Sequence, residues 1–373
     1  MDTVLVVVTR QIGDVLLTTP LIREVKRRWP QARVDVLGFA GTLGMLRGNP
    51  DLRELIEVPA RPGPLGTLAL ARRLWRRYDL ALVADPGDRA HLIGWVAARE
   101  RAGVLPQRSG SNWWKERLLR HAVHSPGDLG DVHVVDEKVA LLSPWPAAET
   151  APPQLVGPAS APLPDALQGQ LRAGYVVVHA PSMWPYKQWP LEHFRELTGL
   201  LALAGRQVVL TGGPGAADRA AVAALAGAAP PAMLVDAGVL DFNQVAGLLR
   251  GAALYIGPDT SVSHLAAACG VPVLAIFGPT NPQRWAPWPA GVQPVRFQRR
   301  GLAQTVGQVT LLQSELHCVP CGKAGCEDHR MSRADCLPAI RPERVAAKAL
   351  EILARERSAG VPASPQPTGP RGL

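Results

Sequence analysis

The chain has 373 residues, more than one ordinary hydrophobic core accommodates, so two domains are expected. Apolar residues make up 47% and charged residues 19%, which excludes a disordered chain, and no apolar run reaches the length of a membrane span. The formal net charge of +9 points to an anionic neighbour, and no nucleic-acid recognition motif accompanies it.

The chain opens directly on a predicted strand, Val4–Val8, rather than on a secretory signal, which reads as a cytoplasmic protein. A helix is expected over Val15–Arg28, where Leu17, Leu21 and Val25 recur every four residues beside Ile22 and Trp29. Further strands are predicted at Val34–Gly38, Glu54–Val58, Leu80–Ala84 and Arg101–Val104, with a clear helix at Leu68–Arg77. Ser111–Arg120 and Val132–Leu142 read as helices. Two clusters join basic residues to aromatics: Arg72, Arg73, Arg76 and Arg77 around Trp75, and Lys26, Arg27 and Arg28 beside Trp29. Such clusters suit an anionic membrane surface, and equally a solvated basic face.

Ser143–Leu163 is rich in Pro and Ala without periodicity and reads as an interdomain linker. A second alternating series follows. Its strands are Tyr175–His179, Gln207–Thr211, Met233–Val235, Leu254–Ile256 and Pro272–Phe277, and its helices Leu191–Ala204, Ala216–Ala226 and Phe242–Leu249. Pro342–Glu356 is a final helix. The expected boundaries are 1–145, a linker at 146–172, 173–340, a helix at 341–357 and a disordered Pro/Gly-rich tail at 358–373. The fold class is α/β, with two facing Rossmann-like domains and a cleft between them.

Four strand-to-helix turns carry groups suited to chemistry. In Tyr255-Ile-Gly-Pro-Asp-Thr-Ser-Val-Ser-His264, Asp259, Thr260 and Ser261 are good helix caps, and a helix start at the carboxyl end of a parallel strand suits phosphate. A capped helix without a ligand would read the same way. In Thr9-Arg-Gln-Ile-Gly-Asp14, Gly13 permits a tight turn. Asp14 is either a helix cap or a carboxylate able to take a proton from a substrate hydroxyl. In His179-Ala-Pro-Ser-Met-Trp-Pro-Tyr-Lys-Gln-Trp-Pro190, Ser182 and Lys187 are placed for phosphate oxygens, while Trp189-Pro190 looks structural. After Gly212-Gly213-Pro-Gly215, Asp218 is suited to ribose hydroxyls or to the helix dipole.

Cys318, Cys321, Cys326 and Cys336 begin with a C-x-x-C, which admits a structural zinc site, with His317 and His329 as spare ligands, or simple reduced thiols. The later spacings match no standard finger. Cys269 lies in an apolar helix and reads as core.

Taken together, Ile-Gly-Asp-Val-Leu-Leu-Thr-Thr-Pro20, Lys187-x-Trp-Pro, Thr211-Gly-Gly-Pro, Asp259-Thr-Ser-Val-Ser-His264, Phe277-Gly-Pro-Thr280 and Arg284-Trp285 resemble glycosyltransferase family 9, the heptosyltransferases of lipopolysaccharide core synthesis. The likeness runs from about Val4 to Leu353. It implies a GT-B fold and inverting, metal-independent transfer from a nucleotide sugar, typically ADP-heptose, to a lipid-linked saccharide. The enzyme would be peripheral at the inner face of the cytoplasmic membrane, with the acceptor on the N-terminal domain and the donor on the C-terminal one. It further implies Asp14 as base, Lys187 on the diphosphate, and Asp259, Thr260 and His264 on phosphates and donor sugar. Two residues depart from the family pattern: Ser261 replaces a glycine, and Met183 stands where many members have a hydroxyl. A nucleotide-sugar epimerase or hydrolase of the same fold, and a non-catalytic nucleotide-sugar-binding scaffold, are the competing readings. A dehydrogenase is poorly supported, because no G-x-G-x-x-G follows the first strand.

Overall fold

The computed structural model describes residues 1–107, 110–147, 151–292 and 297–359. In the first half, β1 (Thr3–Val7), α1 (Ile12–Leu16), α2 (Thr19–Arg28), β2 (Arg33–Phe39), β3 (Glu54–Val58) and α3 (Pro64–Leu74) come first. β4 (Tyr78–Val83), α4 (Asp88–Ala97), β5 (Ala98–Leu105), α5 (Trp113–Leu118), β6 (His121–His124) and α6 (Val134–Val139) complete it. The strands form one six-stranded parallel sheet, β3-β2-β1-β4-β5-β6.

The second half runs α7 (Asp165–Gln168), β7 (Val176–His179), α8 (Leu191–Leu203), β8 (Val208–Gly212), α9 (Ala216–Ala223), β9 (Leu234–Val239) and α10 (Phe242–Arg250). It continues with β10 (Leu254–Pro258), α11 (Ser261–Ala268), β11 (Val273–Ile276), α12 (Pro282–Trp285), β12 (Ala303–Val306), β13 (Val309–Leu312) and α13 (Pro342–Ala359). Its seven-stranded sheet has the order β12-β13-β11-β10-β7-β8-β9, and β12 is antiparallel to β13. Both halves therefore reverse strand direction of growth at the first strand, the doubly wound order that leaves a crevice at the carboxyl ends of the strands.

Each central strand is apolar on both faces because helices cover both. In the first half, Leu21, Ile22 and Val25 of α2 pack on Val4, Val6 and Val34, while Ala90 and Ile93 of α4 cover Leu5 and Val7. In the second, Phe194, Leu197 and Leu201 of α8 and Val345, Ala349 and Leu353 of α13 cover Val176 and Ile256. Leu248 of α10 and Leu265 of α11 cover Val177 and Tyr255 on the other face. Full burial contributes about 1.5–3 kcal/mol for each large aliphatic side chain.

The continuous helix expected over Val15–Arg28 is broken between α1 and α2. Pro20 has no N–H to donate to the carbonyl of Leu16, and the Thr19 hydroxyl donates to it instead at 2.8 Å. The Thr18 hydroxyl likewise donates to the Asp14 carbonyl at 2.7 Å. β6, β12 and β13 are absent from the sequence reading: β6 and β12 are short, half-exposed edge strands with little apolar alternation. Residues 151–164, inside the expected linker, carry neither helix nor strand. α13 extends to Ala359, into the expected disordered tail, and the remainder of that tail lies outside the described residues.

Candidate active site in the interdomain cleft

A cleft of about 960 Å³ lies between the halves, and every residue nominated from the sequence for catalysis or donor binding lines it: Asp14, Ser182, Lys187, Gly213, Asp218, Asp259, Thr260, Ser261 and His264. From the first half it receives the β1–α1 turn, Arg10 to Asp14, together with Arg47, Glu57 and Asp128. The second half supplies the turns after β7, β8 and β10.

The β1–α1 turn meets the start of α11 closely. A Cβ added to Gly13 would sit 3.6 Å from Ser261 Cα and 3.7 Å from His264 Cδ2. The helix cap of α1 is Gln11, so Asp14 is not a cap but lies within the first turn. Its carbonyl accepts from Lys138 Nζ at 2.6 Å, and Lys138 is almost wholly buried. Burial pushes the Lys138 ammonium down to about 8, against the attraction of Asp14 and Glu137.

Across the cleft, Lys187 Nζ and Asp259 Oδ2 are 2.6 Å apart. Burial opposes both charges, but their mutual attraction outweighs it. Lys187 is held above its ordinary value and Asp259 below the usual carboxylate range. Burial drives His264 down to about 4, against the pull of Asp259, so its imidazole is neutral at pH 7. His264 Nδ1 and Thr260 Oγ1 are buried without a hydrogen-bond partner among the described residues. Thr260 is the cap residue of α11, yet its side chain makes no capping bond. The first N–H groups of a helix have no partner inside it, so this corner offers donors and a positive dipole end to an anion.

The β7–α8 loop is folded around Gln188, which sequence reasoning passed over. Gln188 Oε1 accepts from the Ser182 N–H at 2.9 Å, and its Nε2 donates to the Ala180 and Trp189 carbonyls at 2.8 Å each. The Ser182 hydroxyl donates to the Trp184 carbonyl at 3.2 Å. Trp189 is fully buried, and its indole N–H donates to the Ile340 carbonyl at 2.9 Å. Pro190 is the cap of α8, immediately before its first turn. After β8, a Cβ on Gly213 would collide with Asp218 Oδ2, so only glycine lets that carboxylate fold over the turn. His179, also on the cleft wall, is hydrogen-bonded to Thr211 Oγ1 at 3.1 Å, and burial lowers it to about 4. No pattern in the sequence marks Gln188, His179 or Lys138; only packing shows where they go.

The cysteines are free thiols: Cys318 and Cys326 exposed, Cys321 half-buried and Cys336 buried. Among the described residues no three His, Cys, Asp or Glu side chains are grouped to hold a metal ion, which does not bear out the zinc expectation. His329 pairs with Glu327 at 2.8 Å. The segment instead contributes Gly322, Lys323 and Ala324 to the cleft wall. Cys269 ends α11 half-buried against the core, and burial pushes its thiol up to about 11.

A polar clamp joins the halves beside the cleft. Arg284 of α12 pairs with Glu137 of α6 at 2.6 Å, both buried. Arg284 also donates to the Val132 carbonyl and Ser125 Oγ, and Asn281 Nδ2 donates to the Gly130 carbonyl at 2.8 Å.

Two Rossmann-like sheets facing each other across a nucleotide-sized cleft give the α/β architecture of the GT-B class. The model of glycosyltransferase family 9 (heptosyltransferase) matches residues 67–313, and the chain belongs to that family. Lipopolysaccharide heptosyltransferase 1 of Pseudomonas aeruginosa is 28% identical over 369 residues, covering 92% of this chain and 96% of its own length. Lipopolysaccharide heptosyltransferase 3 of Escherichia coli K12 is 29% identical over 293 residues, covering 75% of this chain and 83% of its own. The solved structure of E. coli ADP-heptose lps heptosyltransferase II shares the fold at a TM-score of 0.69 and 21% identity, covering 96% of this chain and 100% of that one.

Proposed function

We propose that this glycosyltransferase moves heptose, with inversion and without a metal ion, from ADP-heptose to a lipid-linked saccharide of the lipopolysaccharide core. The observation that carries this reading is the closeness of two unlike walls of one cleft. Asp14 lies on the first half, and the uncapped start of α11 with Lys187 and Asp259 on the second. The relatives, lipopolysaccharide heptosyltransferases, support heptose as the sugar, and the neighbouring ADP-heptose lps heptosyltransferase II supports ADP-heptose as the donor.

The donor diphosphate would lie against Lys187, Ser182 and the N–H groups of α11, leaving Asp259 to orient the ammonium it already holds. Asp218, folded over Gly213, is suited to ribose hydroxyls. Asp14 would accept the proton of the acceptor hydroxyl as it attacks the anomeric carbon from the face opposite the diphosphate. Lys187 and the helix dipole would stabilise the departing charge, a task a metal ion performs elsewhere. Ser261, in place of the family glycine, narrows this corner and adds a hydroxyl to it. The acceptor is proposed to arrive on an anionic membrane surface at the cytoplasmic face, docked by α3 and α4. Among the described residues no helix is long and apolar enough to cross a membrane.

A calorimetric titration in EDTA with ADP, UDP and GDP, paired with a transfer assay on Asp14→Asn, tests the reading. ADP is expected to bind at least tenfold more tightly than UDP or GDP. Asp14→Asn is expected to bind ADP normally while kcat falls by about 10²–10⁴-fold, the range for a lost general base. Turnover that requires added magnesium, preference for UDP, or an Asp14→Asn variant at full rate would each overturn the corresponding part.

A further inference from the structure

α6 is a short helix with a hand on each side of the cleft. His133, its cap residue, accepts the Val135 N–H on Nδ1 at 3.1 Å, which leaves the ring proton on Nε2 to donate to the Ala286 carbonyl of the second half at 2.9 Å. Glu137 holds Arg284 of α12. The next residue, Lys138, reaches the opposite way, donating to the Asp14 carbonyl at 2.6 Å and Thr18 Oγ1 at 2.9 Å.

A buried ammonium costs several kcal/mol unless bonds repay it, and an apolar side chain of similar volume often fills such a place at no loss. Satisfying the backbone does not account for Lys138, because the Thr18 hydroxyl already donates to the Asp14 carbonyl. What the lysine adds is a charge beneath the turn that carries Asp14, on the same helix that grips the second half.

We propose that Lys138 is a positioning residue that holds the Asp14 turn in register with the interdomain clamp, so that the carboxylate faces the donor. The inference rests on the reading of Asp14 as base. The charged groups facing Lys138 are Asp14 on α1, Arg10 before it, Asp85 after β4 and Glu137 on α6 itself, with His133 and His264 nearby. The histidines are held down near 3 and 4 by burial and stay neutral above pH 6, so the lysine is the member of this group expected to lose its proton between pH 7 and 9.

The test is steady-state transfer by the full chain from pH 6.5 to 9, with ADP affinity measured in parallel, for wild type, Lys138→Met and Asp14→Asn. In Lys138→Met, kcat is expected to fall at least tenfold with ADP affinity unchanged. Wild-type kcat is expected to decline as pH passes 8, and that decline to be missing in Lys138→Met. Wild-type kcat and pH profile in Lys138→Met would overturn the proposal. Loss of ADP binding together with kcat would also overturn it, since the lysine would then be a structural member only. Full turnover in Asp14→Asn would instead sink the base reading, whatever Lys138→Met does.

Discussion

Lys187 and Asp259 show how a single ion pair prepares an anion site. Each is held charged by the other against burial, so the lysine is ionised and oriented before any phosphate arrives. The histidines around the cleft behave in the opposite way. Burial lowers His133 to about 3 and His179 and His264 to about 4, from an ordinary value near 6.5. Between these values the unfolded chain binds protons that the folded chain refuses. The stability they bring is therefore full above pH 6.5 and lost as pH falls toward 4. Each can contribute up to about 1.4 kcal/mol per pH unit in that window. A urea-denaturation midpoint clearly lower at pH 5 than at pH 7 is expected; an unchanged midpoint would mean that at least some of these rings are not buried neutral in solution.

At the scale of elements, two basic clusters that look alike in sequence behave differently. Beside Trp29, Arg27 and Arg28 pair with Glu24, and Lys26 donates to the Pro30 and Ala32 carbonyls. The charges of that cluster are thus paired within their own helix and the turn that follows it. On α3 and α4, Leu65, Leu68, Trp75, Leu92 and Trp95 are exposed, and the Arg76 guanidinium lies 5.5 Å from the Trp75 ring and 6.0 Å from that of Trp95. Indoles flanking a cation suit the boundary between headgroups and acyl chains, and each basic residue near an anionic surface contributes about 1 kcal/mol. The wild-type protein is expected to sediment with phosphatidylglycerol vesicles and not with phosphatidylcholine vesicles. The double variant Trp75→Ala, Trp95→Ala is expected to lower that partition about tenfold or more, and equal partition would remove this face from the membrane role.

At the scale of the molecule, the clamp between α6 and α12 fixes one edge of the cleft. Removing one partner of a buried pair leaves the other charge unpaired, at a cost of about 3–5 kcal/mol. Arg284→Met would strand Glu137, lined up as it is with Lys138 and the Asp14 turn. A loss of that size in chemical denaturation is expected; a loss below about 1 kcal/mol would show that the halves do not depend on the clamp.

Much of this protein was legible along the chain because its strands are apolar on both faces and its turns use residues with few other jobs. β3 runs over Glu54–Val58 as expected, and the four strand-to-helix turns stand where Gly13, Ser182, Gly213 and Asp259 placed them. These features are local: a run of Val and Leu, a glycine, a cap residue. The break at Thr18 was readable in principle from Pro20, but a helical stripe of Leu17, Leu21 and Val25 masked it. The sequence by itself determined the two α/β halves and the residues offered to a cleft. Tertiary structure alone decided that Lys187 meets Asp259, 72 positions further along the chain, and that among the described residues the thiols gather no metal set. It also decided that Lys138 lies beneath Asp14, 124 positions away. Such pairings depend on how elements far apart in the chain converge within one half, and no local periodicity encodes that distance.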